Sequence, residues 1–146
     1  MRKGNDMNDL TTPARDLVRE ERNKATVIEA FDAVFNRHDW SAFDRFWSPD
    51  YIQHSAHVPP GRDGLRTFTM GLPSAAKYEH DMIAACGDIV FIHGRFSGSF
   101  PRAWIAADMV RLVDGLLVEH WDVIEDEATQ ESSAGGAPMF GDRFPI

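Results

Sequence analysis

Apolar residues recur at Leu17, Val18, Val27, Ile28, Phe31, Val34 and Phe35, at spacings mostly of three, four and seven that gather them on one helical face. Thr12 offers an N-cap and Pro13 a first helical position, so a helix is predicted from there to about Arg37, with "REERNK" polar enough to break it or delay its start. Ser41 can cap a second short helix, "SAFDRFW", presenting Phe43, Phe46 and Trp47 before Pro49 stops it. "DYIQHSAHVPPG" reads as a brief strand entering a Pro/Gly loop. "RDGLRTFTMGLP" reads as a short helix bounded by Gly64 and Pro73.

From Ala76 onward the helical spacing gives way to strands. "AKYEHDMIAAC", "IVFIHGRFSGSF", "WIAADMVRLV" and "LLVEHWDVIE" are separated by Gly87-Asp88, by a Pro101-Arg102 corner and by Asp114-Gly115. Two of these breaks are glycine-containing dipeptides of the kind that close tight hairpins. The predicted class is α+β, with N-terminal helices packed on a strongly curved antiparallel sheet. The expected organisation is a flexible N-terminus over 1–10, one domain over 11–126, and a Gly-rich loop or tail over 127–146.

Tight turns fix register, and register decides which side chains share a face. A two-residue loop at Asp114-Gly115 pairs Val110 with Glu119, Asp108 with Trp121 and Ala106 with Val123, which sends His120 and Asp122 to the opposite face with Met109 and Arg111. The Gly87-Asp88 turn pairs Ala84 with Phe91, Met82 with His93, His80 with Arg95 and Tyr78 with Ser97. His93 joins the Asp108 face if the loop at Pro101 has an even number of residues; an odd loop or a bulge separates them. In the even case Tyr78, Met82, Phe91, His93, Trp104, Asp108 and Trp121 line an apolar pocket with a few polar groups. The other face, with Ile83, Ile92, Phe96, Ile105 and Met109, is also largely apolar. It calls for a second cover, and a homodimer through the outer sheet face is the expected one.

Composition narrows the chemistry. Hydrophobic residues make up 43% of the 146 positions, which suits a globular chain large enough for one core. The net charge of −8 argues against nucleic acid or an anionic membrane as partner, and no apolar run has the length of a membrane span. A cytoplasmic location is expected. Cys86 is the single cysteine, which excludes an internal disulfide, and its apolar neighbours suggest a buried, inert thiol. His54 and His57 have a ligand-like spacing without a third ligand, so no metal is expected. Phosphate-loop, dinucleotide and nucleophile-elbow motifs are absent, and no organic cofactor is called for.

"YIQHS", "VPPGRDG", "FIHGRFSG", "AADMVRLVDGLLVEHWDVIE" and the helix end "FDAVFNRHDW" together resemble the SnoaL-like polyketide cyclase branch of the NTF2-like superfamily, over roughly residues 15–126. The resemblance implies a cone-shaped α+β fold and an acid/base Asp on the penultimate strand, assisted by a His on the strand before it. By position these are Asp108 and His93. Ala106 stands where some relatives carry a second His, and Ser55 where Asn is common. The implied substrate is a hydrophobic carbonyl compound, cyclised in an aldol-type step or isomerised through its enol.

An Asp is disfavoured in a strand and costly to bury unpaired, so Asp108 requires a reason whatever the family. The plain alternative is a structural Asp paired with Arg95. Trp121, Trp104, Tyr78, Phe91, Met82, Arg95 and His54 are the candidate substrate-binding residues. Two other functions fit the residues: a non-catalytic dimeric module that binds an apolar molecule, and an epoxide hydrolase. The latter needs a second carboxylate beside Asp108, from Asp81 or Glu119.

Overall fold

The computed structural model describes residues 14–146, so the segment expected over 1–10 and the Thr12-Pro13 helix start lie outside the described residues. Helix α1 (Leu17–Phe31) begins at Asp16, whose side chain accepts from the Arg19 N–H at 3.0 Å. It runs into a π-helical turn over Asp32–Asn36. "REERNK" does not break the helix; of its two buried polar side chains, Glu20 and Asn23, the charged one has partners. Glu20 is buried and accepts from the Gly87 N–H at 2.8 Å and from Arg15, which ties α1 to the turn at Gly87-Asp88.

The short helix α2 (Ala42–Phe46) ends one residue before the expected Trp47, which instead opens strand β1 (Trp47–Gln53). Helix α3 (Gly61–Met70) follows the proline loop. Strands β2 (Lys77–Cys86), β3 (Ile89–Ser97), β4 (Trp104–Val113) and β5 (Leu116–Asp126) complete the chain's regular structure. From Glu127 on there are only turns and coil.

The sheet has the order β1-β5-β4-β3-β2 and is not closed. It is mixed rather than wholly antiparallel, since β1 pairs parallel with β5. The helices cover one face. Val27, Val34, Phe43, Trp47, Val90, Val110 and Leu117, each at most 1% exposed, form the centre of the core. Burying each such side chain contributes about 1.5–3 kcal/mol, which explains why the helical stripe and this sheet face find each other. The opposite face leaves Met82, Phe91 and Val123 about half exposed or more. Cys86, expected to be buried, is exposed where β2 ends at the turn.

Three irregularities decide what faces inward. Between β4 and β5 the pairs Val113–Leu116 and Leu112–Leu117 match expectation, but a bulge at Val118 then shifts the ladder by one, giving Arg111–Glu119, Val110–His120, Met109–Trp121 and Asp108–Asp122. One extra residue on one strand exchanges its faces, because side chains alternate with period two. Between β2 and β3 the pairing holds as far as Met82–His93, and a bulge at Asp81 then places His80 against Gly94 and Tyr78 against Phe96. Finally, Phe96 pairs with Trp104 across a seven-residue loop, so Ile92 rather than His93 lies opposite Asp108. The loop is odd, and it separates His93 from Asp108.

Candidate active site

Asp108 sits mid-strand in β4, 3% exposed, on the covered face. Its Oδ1 is 2.7 Å from His120 Nε2, and its Oδ2 is buried without a hydrogen-bond partner among the described residues. Burial pushes the Asp108 carboxyl above the ordinary carboxylate range. The hydrogen bond and charge of His120 pull it down, the nearby Asp122 carboxylate adds to the rise, and burial prevails. An unpartnered carboxyl oxygen in an apolar setting is costly. In an acid/base group that same oxygen is the one free to exchange a proton.

The other ring nitrogen of His120, Nδ1, is 2.6 Å from Gln53 Oε1. Gln53 closes β1, whose parallel pairing sets it beside His120. Its amide also donates from Nε2 to Tyr51 Oη at 3.1 Å. Tyr51 is buried, and burial raises its phenol pKa so that the hydroxyl stays protonated. Asp122, half-buried, completes the polar group. Ligand atoms of Asp108, His120 and Asp122 lie within 4.8 Å of one another, so these three side chains could also hold a cation.

This polar end belongs to a cavity between the helices and the inner sheet face, about 720 Å³ including its open mouth. The remaining wall is mostly apolar, with Phe31, Phe35, Leu65, Phe68, Leu117 and Ile124 among its members. Trp104, Phe100 and Val58 are half-buried wall residues, and the Phe100 ring stacks on Trp104 at 3.7 Å between centroids. Lys77 is the cationic side chain of the wall, and its ammonium pairs with Glu79 at 3.2 Å.

Of the residues singled out from sequence, Asp108 and Trp104 line this cavity. His93 is on the other face, where its Nδ1 meets Asp81 Oδ1 at 2.7 Å and its ring lies 5.8 Å from Phe140. Met82 and Phe91 share that face. Trp121 is also outside, turned by the Val118 bulge; His54 stacks on it at 4.9 Å and bonds Glu119 at 2.9 Å. Arg95 pairs with the buried Glu127 at 2.7 Å and is no partner of Asp108.

Tyr78 is buried but packs among Phe31, Phe35 and Phe96, with its ring laid over Gly94. A Cβ at Gly94 would come within 2.4 Å of that ring, so the close approach needs glycine there. Neither Asp81 nor Glu119 reaches inward; the second carboxylate of the cavity is Asp122.

Sequence reasoning therefore missed His120, Asp122, Gln53 and Tyr51. "EHWD" and "YIQH" are visible in the chain, but nothing in either marks the bulge that turns His120 and Asp122 inward. The β1–β5 pairing that brings Gln53 and Tyr51 to them is likewise unmarked.

A family model described as SnoaL-like domain matches residues 28–120. No curated protein matches the chain. Among solved structures, a candidate ketosteroid isomerase from Kribbella flavida superposes with a TM-score of 0.67 at 19% identity, covering 86% of this chain and 97% of that one. AclR, a candidate hydroxylase from Streptomyces galilaeus, gives a TM-score of 0.61 at 26% identity over 73% and 81% of the two chains. IdmH from Streptomyces antibioticus, a candidate polyketide cyclase, gives 0.56 at 23% identity over 70% and 91%. The likenesses below 25% identity establish a shared fold.

Proposed function

This chain belongs to the SnoaL-like domain family, and from that premise we propose that it is an acid/base enzyme acting on a hydrophobic carbonyl compound. The reaction is an intramolecular aldol-type cyclisation or the related enolisation and isomerisation. The observation that carries the reading is the buried Asp108 carboxyl, with one oxygen held by His120 and the other unpartnered, at the polar end of a cavity whose wall is otherwise mostly apolar. The names of the similar structures, cyclase and isomerase among them, agree with it.

The chemistry follows from the charges. With its proton on His120, Asp108 is a carboxylate, and its Oδ2 removes a proton from the carbon next to a substrate carbonyl. The C–H bond breaks, an O–H bond forms on Asp108, and the electron pair moves to the carbonyl oxygen as an enolate. The Tyr51 hydroxyl is the neutral donor within the same polar group, suited to stabilising that oxygen. In a cyclisation the enolate carbon attacks a second carbonyl of the same molecule, a C–C bond forms, and Asp108 returns its proton to the new alkoxide. In an isomerisation the proton returns to a different atom of the enolate. A base with a raised pKa suits both steps, since it must take the proton and give it back.

The test needs no native substrate. Deuterium exchange at the α-carbon of 2-tetralone, followed by NMR in D2O, should be accelerated by the protein. Asp108→Asn should slow this exchange by about 10²–10⁴-fold. Exchange undiminished in Asp108→Asn would remove Asp108 as the base, and no acceleration by the wild type would leave the cavity as a binding site without proton transfer.

A further inference from the structure

The hydrogen bonds around Gln53 constrain the proton on His120. The Ser55 backbone N–H, which can only donate, lies 3.1 Å from Gln53 Oε1. A flipped amide would set NH2 against that N–H, so the atom facing Ser55 is the oxygen, and Nε2 correctly faces Tyr51 Oη. His120 Nδ1 is 2.6 Å from the same oxygen, an acceptor with no hydrogen to give. Nδ1 therefore carries a proton.

At the other end, Nε2 and Asp108 Oδ1 are 2.7 Å apart, and two bare lone pairs at that distance repel. One proton lies between them. It resides either on Asp108, facing a neutral ring, or on Nε2, facing a carboxylate.

We propose that Gln53 is a positioning residue: it holds His120 with Nδ1 protonated, so that Asp108 and His120 share one proton and Asp108 Oδ2 is the acid/base atom. The proposal deepens the acid/base reading and depends on it only for the effect on turnover. Without the Gln53 acceptor, His120 can carry its single proton on Nε2 instead. Asp108 then faces a neutral N–H donor. The neutral ring has no second proton to pass to Asp108, and the pair no longer exchanges one internally. Glu at position 53 would restore an acceptor for both Nδ1–H and the Ser55 N–H, whereas Met would fill the space without one.

The experiment is imidazole 15N NMR of the full-length protein, with the His120 signals assigned by their loss in His120→Gln. The wild type and Gln53→Glu should both show a protonated Nδ1. Gln53→Met should show the proton on Nε2 and Nδ1 bare, with α-carbon exchange of 2-tetralone slowed at least tenfold and its KM changed less than twofold.

A bare Nδ1 in the wild type, or an unchanged tautomer in Gln53→Met, would overturn the hydrogen-bond assignment. A moved tautomer with undiminished exchange would overturn the positioning role. Failure of the acid/base reading shows separately, as exchange that survives in Asp108→Asn.

Discussion

At the residue scale, Asp108 and His120 are unequal partners. Asp108→Asn keeps a hydrogen bond, because the new amide N–H can donate to the bare Nε2 of a ring protonated on Nδ1. It also removes a carboxylate that burial disfavours. His120→Leu leaves both Asp108 oxygens without a partner in an apolar wall. The expected result in thermal or urea unfolding at pH 7 is little or no loss for Asp108→Asn and about 1–3 kcal/mol lost for His120→Leu.

The pH dependence has a definite sign. With its folded pKa raised above the unfolded value of about 4, Asp108 makes the native state bind a proton that the unfolded chain has released. Its contribution to stability is fully present below pH ~4 and is lost as pH rises through the folded pKa. The Tm difference between Asp108→Asn and the wild type should therefore grow in the mutant's favour from pH 4 upward. A constant difference across that range would contradict the burial argument.

At the element scale, the bulge in β5 matters more than any hairpin turn. The two-residue turn at Asp114-Gly115 forms as the dipeptide predicts, with Asp114 at φ 50° and Gly115 at φ 79°. The register it starts survives only to Leu117. Beyond Val118 each residue of β5 occupies the face opposite to the one the turn alone would give it, so His120 and Asp122 enter the cavity and Trp121 leaves it. Deleting Val118 removes only the bulged residue, so the ladder should straighten with Arg111–Glu119, Val110–His120 and Asp108–Asp122 still paired and His120 and Asp122 still facing inward. The deletion variant should retain α-carbon exchange, because His120 and Asp122 keep their places beside Asp108. A variant that loses exchange would mean the bulge re-forms at a neighbouring residue and turns Trp121 and Val123 inward.

At the scale of the whole molecule, the cavity has a division of labour. Asp108, His120, Gln53 and Tyr51 come from three strands and gather at its polar end, while α1, α3 and the loop before β4 supply the apolar wall. Phe100 belongs to that seven-residue loop and stacks on Trp104, away from the proton-transfer atoms. Phe100→Ala should thus weaken binding without changing the chemistry. The expected outcome is a roughly tenfold rise in KM for 2-tetralone exchange, about 1.4 kcal/mol, with kcat within about twofold. A fall in kcat at constant KM would place Phe100 in the reacting geometry instead.

What the sequence determined by itself was local. The helical spacing around Val27 to Phe35, the Pro49 stop, the two hairpin dipeptides and the four strands after Ala76 all arise from interactions within a few residues of chain. Each is where the periodicity puts it, to within a few positions. Asp108 stood out for a local reason too, as an ionisable residue in an apolar strand.

Its partners were decided by the tertiary structure. Gln53 and His120 are 67 positions apart, and they meet because β1 docks parallel on β5. His93 and Asp108 part because an odd number of residues, seven, separates the paired Phe96 and Trp104. Face assignment in a sheet is a parity, so one inserted residue at Val118 reverses it. Composition and periodicity read much the same with that residue paired or bulged, and only the packed ladder distinguishes the two.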